Sequence, residues 1–118
     1  TAHALAQAYV YRETAFPFAA YVGDILVGFI MLGYYKPRSQ YTLWKFMIDK
    51  QYQKKGYGKE ALMFGITYLR EKFNVREVYT GVLLGNEIAK HLYTSVGFVE
   101  TGIIEDNMIE MVYLFSEI

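Results

Sequence analysis

Apolar residues along this chain recur at two spacings, every second position or every third to fourth, and the switches between them mark out its elements. From Phe18 to Tyr35 two apolar runs flank Gly23-Asp24, which predicts a hairpin pairing Phe18 to Val22 with Ile25 to Leu32. Lys36 to Gln40, with Pro37 and Ser39, reads as a loop. Thr42 to Asp49 is a third strand, and its near-continuous apolar character (Leu43, Trp44, Phe46, Met47, Ile48) predicts burial on both faces. After polar Gln51 to Gly58, Leu62, Ile66, Leu69 and Phe73 recur at helical spacing while Lys59, Glu60, Arg70 and Glu71 stay polar.

Val78 to Leu84 returns to a strand pattern, and Asn86 offers an N-cap for a helix carrying Ile88, Ala89, Leu92, Tyr93 and Val96. Gly97 stops that helix in the position that favours a left-handed residue. Phe98 to Ile104 and Ile109 to Phe115 are two closing strands around a polar turn at Glu105 to Asn107. Ala2 to Tyr11 reads as the last turns of a helix. The strand, helix, strand unit from Thr42 to Leu84 is expected to be a right-handed parallel crossover, with antiparallel strands at its sides. The fold class is then α/β, a mixed sheet carrying helices.

Length sets one limit on this picture: 118 residues suffice for a single domain spanning 1–118, with no room for a separate regulatory one. An apolar fraction of 53% argues against disorder. Zero formal net charge gives no footprint for a nucleic-acid partner. The charges are nevertheless segregated. Lys45, Lys50, Lys54, Lys55 and Lys59 fall close together, whereas Glu100, Glu105, Asp106, Glu110 and Glu117 lie in a C-terminal stretch without Lys or Arg. Absence of cysteine excludes disulfides, thiolate zinc sites and a Cys nucleophile, and fits a reducing cytoplasm. No apolar run is long enough to span a membrane, so no membrane partner is expected. His3 and His91 have no metal-ligand partner at useful spacing.

The segment richest in chemistry is Gln53-Lys54-Lys55-Gly56-Tyr57-Gly58, between a buried strand and a helix start. Glycines there let a backbone approach a ligand closely, and the free N–H groups of a first helical turn suit a phosphate or pyrophosphate. An ordinary lysine-bearing loop would look much the same. The segment is neither a Walker loop nor a dinucleotide fingerprint, which disfavours ATP and NAD.

At Gln53, Gly56 and Gly58 the chain resembles the GNAT family of N-acetyltransferases, whose pyrophosphate loop reads Gln/Arg-x-x-Gly-x-Gly/Ala. A second motif matches independently: Asn86, Ala89, Leu92, Tyr93, Gly97 and Phe98 fit the family's Asn-x-x-Ala-x-x-Leu-Tyr-x-x-x-Gly-Phe segment. Phe46-Met47-Ile48-Asp49, Tyr52-Gln53 and Gly23 to Phe29 look most like the bacterial diamine and spermine/spermidine acetyltransferases. Lys54 departs from a small glycine common in those relatives.

The resemblance implies a mostly antiparallel mixed sheet with helices on both faces and a splayed central parallel strand pair. It also implies that the family's N-terminal strand and first helix are missing here. The implied activity is transfer of acetyl from the cosubstrate acetyl-CoA to a primary amine, a polyamine or diamine, by direct attack in a ternary complex. Implied cofactor contacts are Phe46, Met47 and Ile48 for the pantetheine arm, Gln53, Lys54, Lys55, Gly56, Tyr57, Gly58 and Lys59 for the diphosphate, and Asn86 and Lys90 on the later helix. Tyr93 matches the family's general acid, although a tyrosine at that position could equally pack against the sheet. Asp49 and Glu13 are candidate bases. A protein N-terminus, an aminoglycoside, and a non-catalytic CoA-binding module stay open as alternatives, and a homodimer stays open as the assembly.

Overall fold

A computed structural model describes residues 15–53 and 56–115. Its strands are β1 (Ala15–Val22), β2 (Ile25–Tyr35), β3 (Gln40–Ile48), β4 (Glu77–Leu83), β5 (Val99–Glu105) and β6 (Met108–Leu114). Its helices are α1 (Tyr57–Phe73) and α2 (Glu87–Val96). The strands form one sheet in the order β1-β2-β3-β4-β6-β5, in which only β3 and β4 run parallel. The expected hairpin forms with Val22 opposite Ile25. The closing hairpin turns on Asp106 and Asn107, both at positive φ, a conformation these short polar side chains tolerate. The helix expected over Ala2 to Tyr11 lies outside the described residues.

Both helices pack on the same face of the sheet. Leu62, Ile66 and Leu69 of α1 and Tyr93 of α2 share one core with Ile30, Leu32, Leu43, Val78, Val82, Ile109 and Met111. Burying each such aliphatic side chain contributes about 1.5–3 kcal/mol. On the opposite face Ala15 and Met31 pack with Phe29 and Trp44; whatever helix the resemblance implies there is not among the described residues. Among those residues no helix is long and apolar enough to cross a membrane.

The third strand contributes to both cores, as its continuous apolar run predicts, and it does so through an irregularity. Met31 pairs with Lys45 but Leu32 pairs with Leu43, so Trp44 is an extra residue in β3. A bulge resets the alternation of faces. Leu43 and Phe46, three apart, therefore both join the helix-side core, while Trp44 turns to the other face. Gly33 makes that turn feasible. A Cβ built there would stand 2.6 Å from two indole carbons of Trp44, far inside contact distance.

The same point marks the end of the parallel pairing. Only Thr42 with Tyr79 and Leu43 with Thr80 are paired across β3 and β4. From Trp44 onward β3 keeps β2 on one side, while β4 stays paired with β6 along its whole length. The two strands part, and the C-terminal half of β3 has an edge with no strand beside it in the sheet.

A Gly33→Ala substitution should destabilise the fold by about 2 kcal/mol, in the range of other overpacked cores. Urea unfolding followed by far-UV circular dichroism measures it; an unchanged midpoint would mean that Trp44 can leave its place at no cost.

Candidate active site

Three elements converge where β3 parts from β4. After Ile48 the chain folds into a short 3-10 turn at Lys50–Tyr52, capped by the Asp49 side chain, which accepts from the Gln51 N–H at 3.2 Å. Asp49, a candidate base by sequence, is thus engaged in shaping the turn. Gln53 reaches back and donates its Nε2–H to the Ile48 carbonyl at 2.9 Å, stapling the loop to the strand it leaves. Gln53 is a loop-positioning group here, a role its place in the motif did not reveal. Lys54 and Lys55 lie outside the described residues.

Gly56 is the N-cap of α1 with φ +85 and ψ −5, a left-handed conformation that a residue with a Cβ adopts only at a cost. Among the described residues nothing lies within 4 Å of the place a Cβ would occupy, and Gly56 is exposed. The first intrahelical bond of α1 runs from Glu60 N–H to the Gly56 carbonyl at 3.1 Å. The N–H groups of Tyr57, Gly58 and Lys59 precede it and have no partner within the helix. Lys59 is exposed in that turn, while Tyr57 is half-buried. At Gly58 an added Cβ would lie 3.4 Å from Leu92 and 3.5 Å from the Phe46 ring. The start of α1, the free end of β3 and α2 therefore meet at one place. Phe46 and Ile48 turn toward α1 there, whereas the Met47 side chain is 45% exposed.

The second motif builds the other wall. Asn86 caps α2, its Oδ1 accepting from the Ala89 N–H at 3.2 Å. The cap uses the oxygen and leaves the amide N–H groups of the side chain for other partners. Tyr93, two turns along, is 8% exposed and packs against Phe98. The Thr80 hydroxyl lies near the phenol. Burial pushes the Tyr93 phenol above its ordinary 10.0, and the neighbouring Thr80 hydroxyl works the other way. Thr80, 5% exposed, donates to the Leu43 carbonyl at 3.2 Å. It stands on the last paired rung of β3 and β4, which puts the phenol near the root of the parting. Sequence reading passed over Thr80. The available signal was a polar residue at an inward position of β4, between Val78 and Val82.

Charged residues pair across elements of the structure. Lys90, expected among the cofactor contacts, forms a largely exposed ion pair with Glu100 at 3.1 Å, an arrangement worth at most about 1 kcal/mol. The acidic C-terminal stretch has no basic residue of its own but borrows them: Glu100 takes Lys90, and Glu110 takes Arg38 at 2.9 Å together with the Thr101 hydroxyl at 2.9 Å. Glu105 and Asp106 stay at the exposed hairpin end. Glu13 and Glu117 lie outside the described residues. Among the described residues no group of three or more His, Cys, Asp or Glu could hold a metal ion.

Comparison with known proteins bears on the whole arrangement. The family model for the acetyltransferase (GNAT) family matches residues 2–98. A spermine/spermidine N(1)-acetyltransferase of Bacillus subtilis is 36% identical over 93 residues, which cover 74% of this chain and 60% of that protein. The chain thus spans 60% of the length of the curated relatives it matches. Among solved structures, an acetyltransferase of Bacillus subtilis in complex with CoA superposes with a TM-score of 0.78 at 20% identity, covering 93% of this chain and 83% of that one. A spermidine N-acetyltransferase variant from Vibrio cholerae gives a TM-score of 0.77 at 21% identity, covering 93% and 71%. At those identities the solved structures speak for the fold.

Replacing Asn86 with alanine should cost about 1 kcal/mol through loss of the α2 cap, and Asn86→Asp should retain most of it. Equilibrium urea unfolding of the two variants distinguishes a working cap from a side chain that does nothing for stability.

Proposed function

The chain belongs to the GNAT acetyltransferase family, and from that premise we propose that it is an acetyl-CoA-dependent N-acetyltransferase acting on a small primary amine by direct transfer. The observation that carries this reading is the union of two features in one place: parted parallel strands, and a helix start whose glycine N-cap is open to solvent. An edge without a strand beside it offers backbone groups to an amide-bearing arm such as pantetheine. Free N–H groups at the start of α1 suit the diphosphate that follows that arm. Phe46, Met47 and Ile48 would line the arm, while Gly56, Tyr57, Gly58 and Lys59 would face the diphosphate, with Lys54 and Lys55 adjoining in sequence. The Asn86 amide N–H groups remain for a further contact.

Acetyl-CoA supplies the acyl group and a thiolate leaving group. The amine gives up its ammonium proton to solvent before attack; transfer then forms a C–N bond and breaks the C–S bond, the nitrogen releases a second proton, and the departing sulfur needs a proton or a hydrogen bond. Tyr93 is the group this reading assigns to that need. Its hydroxyl sits at the root of the parting, and burial keeps it protonated. Full proton transfer from an ordinary phenol to a thiolate is uphill by about 2 kcal/mol, and burial of Tyr93 steepens the slope. The phenol therefore acts chiefly by donating a hydrogen bond to the developing sulfur charge. No cysteine is present to carry an acetyl group, which supports direct attack.

Relatives named for spermine and spermidine support a polyamine as acceptor. Exposed Glu105 and Asp106 would favour a polycation by long-range attraction. Thiol release should be faster with spermidine than with an aminoglycoside or a peptide amine, and the spermidine KM should rise with salt. Equal rates across that panel would remove the polyamine assignment and leave the acetyltransferase.

Tyr93→Phe should bind CoA as the parent does in calorimetry while kcat falls about 100-fold. Since the phenol pKa lies above 10.0, the parent should show no loss of the acid below that pH. No heat with CoA or acetyl-CoA would defeat the cofactor assignment, and unchanged turnover of the Phe variant would remove Tyr93 from the chemistry.

A further inference from the structure

Both helices lie on one face of the sheet, so among the described residues the approach left for an acceptor at the parting of β3 and β4 is the opposite face. Alternation decides which side chains line it. Ile109 and Met111 of β6 belong to the helix-side core, which turns Glu110 between them to the other face. Val78 and Val82 of β4 face that core as well, which puts Gly81, the pairing partner of Glu110, on the same open face. Gly81 comes directly after Thr80, on the last rung shared with β3, and has no side chain to stand between Glu110 and the gap. The atom nearest the place of a Gly81 Cβ is the Met108 methyl carbon at 3.2 Å, the end of a flexible side chain.

Glu110 is held in place without being closed off. Its Oε2 accepts from Arg38 Nη1 at 2.9 Å and its Oε1 from the Thr101 hydroxyl at 2.9 Å. A carboxylate has about four acceptor positions, so among the described residues each oxygen keeps one. The side chain is 14% exposed and Arg38 meets it through one nitrogen, which leaves the carboxylate within reach of a further donor. Lys45 falls on the same face from β3, paired with Met31 of the opposite-face cluster. Its charge disfavours a cation on the β3 side of the gap, and Glu110 favours one on the β6 side.

We propose that Glu110 is a specificity-determining residue, which takes the second ammonium of a diamine or polyamine while the first amine attacks at the parting. Neighbouring strands lie about 4.8 Å apart, close to the separation of two nitrogens joined by three or four methylenes. An acceptor nitrogen in the gap beside β4 therefore places the next one over β6. That ammonium donates to the free positions of the carboxylate, a charge-assisted bond in a partly desolvated place. Arg38 and Thr101 orient the carboxylate, and Arg38 also competes with the ammonium for its charge. No covalent bond of Glu110 forms or breaks.

The role of Glu110 rests on the acetyl-transfer reading above, and the experiment tells the two failures apart. Thiol release from acetyl-CoA is measured with spermidine and with propylamine, which has no second nitrogen. The parent, Glu110→Gln and Arg38→Gln are compared, with folding checked by urea midpoint. Glu110→Gln should raise the spermidine KM about ten-fold, leave the acetyl-CoA KM in place, and shrink the preference for spermidine over propylamine by the same factor. Arg38→Gln breaks the same ion pair but leaves the carboxylate, so its spermidine KM should stay or fall. An ion pair that served structure alone would give both variants the same change. Equal rises in KM, or an unchanged preference in Glu110→Gln, overturn the proposal while acetyl transfer stands. A parent with no turnover on any amine defeats the earlier reading and this one with it. Should Glu110→Gln not fold, the parent alone decides: diamines of three or four methylenes should show a lower KM than those of two or eight, and a flat series overturns the proposal.

Discussion

The structure turns on the place where β3 leaves β4 after two rungs of pairing. A parallel pair that continued to Ile48 would satisfy its own backbone groups and leave nothing for a ligand. The parting coincides with the extra residue at Trp44, and a bulge bends and further twists the strand that carries it. Space for the indole comes from Gly33 on the neighbouring strand. One inserted residue thus accomplishes two things: it resets which side chains meet the helices, and it turns the second half of β3 into an edge inside the sheet.

What surrounds that edge follows from it. Gln53 ties the loop back to Ile48, so the start of α1 is held against the free end of β3. Gly56 takes the left-handed conformation that lets the helix begin there, and Gly58 brings it against Phe46 and Leu92. On the other side Asn86 starts α2 soon after β4 ends, which sets Tyr93 two turns later over Thr80. Each residue of the two motifs therefore has a local geometric task. Those tasks are set by backbone conformation and close packing, where one residue type is strongly preferred.

That is also why the fold was readable from sequence. Gly23-Asp24 between apolar runs, the 3.6 period from Leu62 to Phe73 and the Asn86 cap are local signals, and each produced its element within a few residues. The parallel pairing of β3 with β4 followed from the rule for crossovers, whereas the order of the strands across the sheet was not read, since pairing between distant segments leaves little local trace. The bulge at Trp44 was not legible because Leu43 to Ile48, apolar except at Lys45, has no regular alternation to interrupt. The pairing of Lys90 with Glu100 was not legible because Glu100 is supplied by β5 after the helix ends. Gln53 and Asp49 were recognised as site candidates, but their bonds within the turn depend on a loop geometry that residue types do not encode.

The same distinction explains why Tyr93 was visible and Thr80 was not. A tyrosine in a helical motif stands out by its company, whereas a threonine in a strand satisfies the preference for β-branched residues and attracts no notice. Its significance is energetic. A lone buried hydroxyl costs roughly 1–3 kcal/mol when unpaired, so the core tolerates Thr80 because a carbonyl on the neighbouring strand accepts its proton. That bond joins β4 to β3 on their last shared rung, so the buried threonine fastens the strand pair at the point where its separation begins.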